Sequence, residues 1–381
     1  MKKHTLAILA AIVGIIFIVL GVTSLGDKPH VEYGGITFDG ITLLLIGALI
    51  CVAGLLNFLS SRPTPEGKEP SPSWYIPSAP QSVSDVDKAI QELGITMEEI
   101  KQYADTFVAK TSLPCIVLSP VRRATGVLDS KFGGTPYLPP GFNYPHNENP
   151  DGPGQPLKLL AQLNFSTLPQ VDWGDQNIPT TGILQFYITK EMELDGDLSI
   201  FGADIDDPHN QQGFRVVYHR SVIEDPAMWQ DPPAVDDLPG DYFPFEGELA
   251  IEAKATMVGM TPSDHLFAER FSAEMAIDLP EEQYDILQAA VIDYLLGLDT
   301  LDGHRIGGYP LFFQNDPREF DPVDAPTLLL QMDTDADDTG DTYDIMWGDA
   351  GIAHFFAGVE DFATCDDPAI LSTAAFSWEC M

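Results

Sequence analysis

The residues best suited to hold a metal ion form an acidic run between two apolar stretches near the carboxyl end of the chain. The run places carboxylates at positions 1, 3, 5, 9 and 12 of a calcium-loop pattern: Asp333, Asp335, Asp337, Asp341 and Asp344. Position 6 is Asp338, where the EF-hand needs glycine, and both flanks read as strands. We therefore predict no required cofactor. The run forms either a solvated hairpin loop, the preferred interpretation, or a Ca²⁺ or Mg²⁺ site.

A second set of candidate residues surrounds a Gly-Gly turn at 307–308 and mixes acid, cation, imidazole and aromatic side chains: His304, Asp316, Arg318, Trp347 and Asp349. If these side chains converge in the fold, they can bind a small polar ligand or a peptide, or act as acid-base groups. A metal-dependent hydrolase would use Asp349 and His304 together with the first acids of the run. The alternative is that Asp316 and Arg318 form a local ion pair in a turn and Trp347 belongs to the core.

Strong catalytic signatures are missing from the sequence, which has no HExxH, GxxxxGK[ST], GxSxG or CxxC motif. A second acidic cluster again reads as a solvated loop in preference to a cation site: Asp204, Asp206, Asp207 and His209. Three cysteines have no histidine near them in sequence, so we expect reduced, inert thiols: Cys115, Cys365 and Cys380.

Three short blocks occur twice in the same order. The first copies are KFGGTPYL from Lys131, LLAQLN from Leu159 and GILQFY from Gly182. The second copies begin 174, 169 and 169 residues later, at Arg305, Leu328 and Gly351. Near-constant spacing of three ordered blocks indicates an internal repeat. We predict two related halves, about 83–245 and 246–381, that share one sheet or pack about a pseudo-twofold axis.

The repeated blocks supply further candidate ligand-binding residues. A Gly-Gly-x-Pro turn would present the basic residue before it at a defined place. Each second block carries a glutamine inside an apolar strand, where the buried amide must find partners. The preferred alternative is that these glutamines satisfy neighbouring backbone groups. The candidates from the blocks are Lys131, Tyr137, Gln162, Asn164, Arg305 and Gln331.

The elements that must position these residues are mostly strands. Ser84 opens a short predicted helix, and Thr96 to Glu99 is a capping box that starts a second one. Short β-rich runs follow from Pro114, helices return at 264–276 and 281–298, and strands resume with TLLLQMD and GIAHFFA. Strands and helices in blocks, without regular alternation, predict an α+β fold with an internally duplicated mixed or antiparallel sheet and a few flanking helices.

The first 61 residues predict a transmembrane hairpin. Two uncharged apolar runs, at 5–25 and 41–59, are each long enough to cross a bilayer as a helix. A cleaved signal peptide followed by one anchor is the less favoured alternative. Basic residues flank the outer ends of both runs, which predicts that both termini are cytoplasmic. The proline-rich stretch 62–82 then acts as an extended linker to the domain at 83–381.

Several segments, taken together, resemble the YwqG-like family, a bacterial domain of unknown function. They include SKFGGTPYLP, LLAQLNFSTLP, HRIGGYPLFFQNDPR, WGDAGIAHFF and FSWEC, and the resemblance covers about residues 114–381. It implies a cytoplasmic α+β domain with a duplicated sheet and no settled active site. The hairpin lies outside this domain. Glu379 stands before Cys380 where the resemblance leads us to expect aspartate.

The charge restricts the partners of the domain. The chain has 58 acidic and 19 basic residues and a formal charge of −39, and the excess lies entirely in residues 83–381. This excludes broad contact with nucleic acid, which needs clustered lysine and arginine. We expect a multi-pass protein of the bacterial inner membrane whose cytosolic domain binds a basic protein partner, with an immunity or regulatory role. The alternative is the metal-dependent hydrolase.

Overall fold

A computed structural model describes ten ranges of the chain: 30–33, 36–39, 92–147, 154–190, 200–235, 243–298, 302–319, 326–336, 343–358 and 362–380. The chain separates into two compact units, 1–73 and 74–381. In the first unit, β1 (His30–Tyr33) and β2 (Ile36–Asp39) pair as an antiparallel hairpin. None of the described helices has the length and apolar character needed to cross a bilayer. The spans predicted at 5–25 and 41–59 lie outside the described residues, as do the whole linker 62–82 and the start of the helix predicted at Ser84.

The second unit is built on one antiparallel sheet of eleven strands in the order β14-β7-β6-β5-β4-β8-β3-β9-β10-β13-β15. The strands are β3 (Leu113–Val121), β4 (Lys131–Gly133), β5 (Lys158–Asn164), β6 (Ile183–Ile188), β7 (Phe214–His219), β8 (Glu248–Val258), β9 (His304–Gly307), β10 (Thr327–Asp333), β13 (Ile352–Ala357), β14 (Ala369–Ile370) and β15 (Ala375–Glu379). A separate two-stranded ladder joins β11 (Asp335–Ala336) and β12 (Tyr343–Ile345). The described part of the fold is therefore mostly β, with one large antiparallel sheet and, as predicted, a few helices. The α+β prediction understated the share of strand.

The order of strands is symmetric about the central pair β3 and β8. Moving outward on one side, β8 is followed by β4, β5, β6 and β7; on the other side, β3 is followed by β9, β10, β13 and β15. The repeated blocks occupy matching positions, because they form β4 and β9, β5 and β10, and β6 and β13. The first strand of each predicted half pairs with a strand of the other half: β3 pairs with β9, and β8 pairs with β4. Since β3 and β8 also pair with each other, both halves share one continuous sheet.

The sheet curls so that its outer parts face each other across a large core. Phe186 on β6 lies 5.0 Å, between ring centroids, from Phe355 on β13, although seven positions separate these strands in the sheet order. Phe214 on β7 similarly contacts Phe376 on β15 at 5.5 Å. Burial of β5, β6, β10 and β13 on both faces explains why their sequences are continuous apolar runs rather than alternating ones.

Three helices form a second, smaller core: α1 (Met97–Thr111), α2 (Phe267–Met275) and α3 (Glu281–Leu296). The capping box predicted at Thr96 is confirmed, since its hydroxyl accepts the Glu99 backbone N–H and the Glu99 carboxylate accepts the Thr96 N–H. The helix predicted at 264–276 begins at Phe267 instead. Asp264 and His265 are thus left in the turn before it, with Asp264 accepting the Leu266 N–H.

Candidate functional site

The first Gly-Gly turn is held by a buried glutamine. Gln162 on β5 accepts the backbone N–H of Tyr137 at 2.8 Å, and its amide donates to the carbonyls of Val127 and Asp129. Lys131 is fully buried and donates to backbone carbonyls, including those of Gly126 and Thr135. Burial lowers the pKa of Lys131 to about 8. These side chains bind their own backbone.

The second Gly-Gly turn repeats this arrangement. Gln331 on β10 accepts the N–H of Leu311 at 2.8 Å and donates to the carbonyl of Gly303. Arg305, which is 2% exposed, donates to the carbonyl of Asp302. Gln162 and Gln331 therefore hold backbone groups at matching positions of the two blocks, which is the alternative preferred for them. Lys131 and Arg305, also predicted to bind a ligand, are buried and donate to backbone carbonyls.

Gln185 and His354 are a third pair of side chains that occupy matching positions in the two repeats. Gln185 on β6 donates to the carbonyl of Tyr137 at 2.8 Å, and His354 on β13 contacts the carbonyl of Leu311 through Nε2 at the same distance. With Nε2 protonated, Nδ1 of His354 has no hydrogen-bond partner in the described part of the chain. Burial lowers the pKa of His354 to about 3, so the ring is neutral near pH 7.

Asn164 and Asp333 end β5 and β10 at matching positions but use opposite chemistry. The amide of Asn164 donates to the carbonyl of Leu128, whereas the carboxylate of Asp333 accepts the N–H of Gly303. The Asp333 backbone N–H donates to Nδ1 of His304 at 3.0 Å. Both residues thus anchor the segment before a Gly-Gly turn, and the side chains predicted to bind a ligand or metal are engaged by backbone.

The two Gly-Gly turns lie at opposite ends of the central strands. Gly133 pairs with Glu248 at the start of β8, while Gly307 pairs with Cys115 on β3, which itself faces Thr256 near the end of β8. Eight residues of extended strand separate Glu248 from Thr256, or about 26 Å. The turns therefore do not share one pocket.

The acids of the run 333–344 and the candidates around the second Gly-Gly turn do not gather in one site among the described residues. Nε2 of His304 lies 3.6 Å from Asp335, and Asp344 forms an ion pair with Arg122. Asp337 and Asp341 lie outside the described residues. Trp347 is fully buried and packs on Phe201, with ring centroids 4.8 Å apart, whereas Asp349 is exposed in a turn. The contacts of Trp347 and His304 do not join them to Asp316 or Arg318.

Asp316 and Arg318 form a buried ion-pair cluster with the turn before α2. Arg318 donates to Asp316 at 2.6 Å and to Asp264 at 2.8 Å, and its guanidinium lies 5.0 Å from the Phe356 ring. Asp316 also accepts the N–H of His265 and contacts its Nδ1 at 2.9 Å. Among the described residues, Asp264, His265 and Asp316 alone cluster like metal ligands, but Arg318 already supplies their cation.

A neighbouring carboxylate fixes the loop that carries this cluster. Glu379 on β15 accepts the backbone N–H groups of Phe313 and Gln314. Burial raises the pKa of Glu379 to about 7, against the lowering effect of these backbone donors. The role of this acid is thus to anchor the segment after the second Gly-Gly turn. The hollow beside Arg318 measures only about 10 Å³.

An open cleft lies beside the corresponding loop of the first half. It measures about 450 Å³, a volume that suits a small molecule or a few peptide side chains. Its walls are the loop 139–143, Ser221 and Ile223, and the segment from Asp367 to Ile370. Three prolines, at 139, 140 and 368, line it together with Phe142. We call it the proline cleft.

Hydrogen bonds from outside the proline cleft fix its walls. The hydroxyl of Tyr137 accepts the Ile223 N–H at 2.9 Å, and the amide of Gln230 donates to the carbonyls of Pro139 and Phe142. The Asp367 carboxylate accepts the N–H groups at 220 and 221. Because each wall is tied to a different part of the chain, the cleft is formed before any ligand arrives.

His219 lies beneath the proline cleft. Its ring is 5.0 Å from that of Phe142 and 5.3 Å from that of Tyr137, and its Nε2 contacts Gln185 at 2.9 Å. Nδ1 of this fully buried imidazole has no partner among the described residues. Burial lowers the pKa of His219 to about 4, although the charge of Asp367 opposes this.

Sequence reasoning missed most of this cleft. Of the predicted ligand-binding residues, only Tyr137 takes part, and it acts from behind the wall. The available signal was the segment YLPPGFNYP directly after the first Gly-Gly turn, whose prolines stiffen a surface loop. Ile223 and Ile370 carried no signal, because their approach depends on the pairing of β14 with β7.

Comparison with known proteins bears on residues 130–380. No curated protein matches the sequence. The family model that matches covers both Gly-Gly turns, the proline cleft and the Arg318 cluster, and it is consistent with the resemblance to YwqG-like proteins. Since the match extends over more than half of the chain, the protein belongs to the family described as domain of unknown function (DUF1963).

Proposed function

We propose that this protein is a binding module whose acidic domain engages a basic protein partner through a surface that includes the proline cleft. The observation that carries the proposal is the cleft itself, which is preformed, open and lined by apolar side chains together with Asn143, Ser221 and Asp367. The domain around it holds the whole negative excess of the chain. A rigid apolar cleft within an acidic surface favours a ligand that combines apolar and cationic groups.

The contacts of the candidate catalytic groups also support a binding role. The carboxylate oxygens of Asp333 accept the N–H groups of Gly303 and Thr334, and Asp316 is neutralised by Arg318. A general base or metal ligand needs a lone pair directed at substrate or ion. What remains of the hydrolase alternative in the described residues is Asp335 and His304, 3.6 Å apart, together with the exposed Asp349.

Two finer features complete the proposal. The helices predicted at 5–25 and 41–59, with the proline-rich linker 62–82, would hold the domain at the inner face of a bacterial membrane, where an immunity or regulatory protein meets its partner. The matched hydrogen bonds of Gln162 and Gln331 support our view that the halves at about 83–245 and 246–381 arose by duplication.

The test is capture of partners by the full chain from its own membranes at about 50 mM and about 500 mM salt. We expect a basic protein that is retained at low salt and released at high salt, because screening weakens charge-driven association. A variant with the exposed pair Glu224→Gln and Asp225→Asn should retain less of the same protein than wild type. Failure to retain any salt-sensitive partner would contradict the proposal.

A further inference from the structure

The proline cleft has the composition of a site for one apolar anchor. Phe142 and Ile223 are half-buried in its walls, while Ile370 is 55% exposed at its rim. An exposed isoleucine on a short edge strand is a favourable place for an apolar anchor, since covering its side chain removes apolar surface from water. The fixed walls mean that little ordering free energy is lost on binding.

The charges around the proline cleft are predominantly negative. Glu224 and Asp225 follow Ile223 directly and are exposed. Asp366 and Asp367 precede the Pro368 wall and are also exposed. The Asp367 carboxylate accepts the backbone N–H groups of Arg220 and Ser221.

Arg220 is the only lysine or arginine within four residues of these walls in the sequence, and its guanidinium donates to the carbonyl of Ala363. Four exposed acids against one arginine give the rim a negative potential, and this complements a cationic ligand.

We propose that the proline cleft binds a basic peptide segment in which an apolar side chain inserts between Phe142, Ile223 and Ile370 while lysine or arginine groups face the rim acids. This inference rests on the proposed function and assigns it a location and a ligand class. An extended segment suits the cleft, because its alternating side chains can place an anchor inside and a charge outside. Proline next to the anchor lowers the entropy lost on binding.

The test uses the full chain in detergent and a fluorescein-labelled peptide of four Lys-Pro-Leu repeats, with binding followed by anisotropy. Two comparison peptides replace every lysine by glutamate or every leucine by serine. We expect the lysine-leucine peptide to bind at least about tenfold more tightly than either, because each lacks one of the two required groups. Equal binding of the three peptides, or no binding of the first at millimolar concentration, would overturn the inference.

A matched pair of variants locates the site. Ile370→Ser removes the rim anchor, whereas Ile205→Ser changes an isoleucine that is 81% exposed and lies outside the cleft walls. We expect about fivefold weaker peptide binding for Ile370→Ser and no change for Ile205→Ser. Unfolding curves establish that both variants are folded; if Ile370→Ser fails to fold, Asp366→Asn should weaken binding of the lysine peptide instead.

The outcomes separate the inference from the proposed function. Salt-sensitive peptide binding that both isoleucine variants retain would keep the acidic binding module and overturn the cleft as its site. Self-association of the chain that Ile370→Ser abolishes would show that a second copy occupies the cleft, and this also overturns the inference.

Discussion

The two halves of the sheet build the same framework and then use it differently. In each, a buried glutamine holds the segment after a Gly-Gly turn, through the N–H of Tyr137 in the first half and of Leu311 in the second. Beyond that point the loop of the first half borders the proline cleft of about 450 Å³, whose other wall is segment 367–370 of the second half. The corresponding loop of the second half is closed around Arg318, with a hollow of about 10 Å³. The difference shows that the framework and the surface loops are separable.

The closure of the second half comes from residues that the first half lacks. The segment between β8 and β9 contains α2 and α3, and the turn before α2 supplies Asp264 and His265 to the Arg318 cluster. No helix among the described residues separates β3 from β4. One half is thus stabilised by an added helical layer, and the other is left free to bind.

The largest expected effect is the loss of the charge cluster in the closed half. Arg318→Met should reduce the free energy of unfolding by about 3 to 5 kcal/mol, because it leaves two buried carboxylates without their cation. Urea denaturation measures this. The comparison variant in the open half is Tyr144→Phe, which loses one hydroxyl bond to the Leu157 carbonyl and should cost about 1 kcal/mol. Equal losses would contradict the difference between the halves.

The shared framework should respond similarly in both halves. Gln162→Leu and Gln331→Leu each leave buried backbone groups without partners, which should cost about 2 to 4 kcal/mol in unfolding free energy. Gln162 makes more hydrogen bonds, including one from Gln185, so its replacement should cost more. Gln283→Leu on the exposed face of α3 is the control and should change stability by less than about 0.5 kcal/mol. A control that loses as much would show that the framework interpretation is wrong.

Replacing His354 by the glutamine found at the matching position of the first half tests the comparison through the pH dependence of stability. The lowered pKa of His354, about 3, means that the unfolded chain takes up a proton below about pH 6.5 while the folded chain does not. This group therefore stabilises the fold above pH 6.5, and its contribution is lost as the pH falls, by about 2 kcal/mol at pH 5. His354→Gln copies Gln185 of the first half and should remove that part of the pH dependence.

Thermal unfolding of wild type and His354→Gln between about pH 5 and pH 7 measures the swap. The two curves should coincide near pH 7, since a glutamine amide can donate to the Leu311 carbonyl as Gln185 does to Tyr137. They should diverge toward acid, because wild type loses about 2 kcal/mol by pH 5 that the variant keeps. Parallel curves would show that His354 does not remain neutral in the folded state.

The smallest effect concerns divalent cations. Asp333 and Asp344 already accept backbone or arginine donors, so addition of Ca²⁺, Mg²⁺ or Mn²⁺ should shift the melting temperature by less than about 1 °C. Calorimetric titration of the full chain provides an independent measurement. Saturable binding that Asp335→Asn abolishes and Asp206→Asn does not would favour the hydrolase alternative instead.

Local patterns in the sequence predicted much of the framework. The capping box at Thr96, the apolar strand runs and the repeated blocks depend on neighbouring residues, and each has its counterpart in the structure. Local patterns could not predict that β3 pairs with β9 and β8 with β4, because these pairings join strands that are far apart in the sequence. The proline cleft could not be predicted for the same reason, because its walls are brought together by long-range contacts such as that of Tyr137 with Ile223.

Hydrogen exchange with and without the lysine-leucine peptide decides where the peptide binds, because it reports on both loops in one measurement. We predict added protection in segments 139–143, 221–223 and 367–370, which line or adjoin the proline cleft, and none in segment 311–318. Protection of segment 311–318 alone, or equal protection of both loops, would contradict the assignment of binding to the open half.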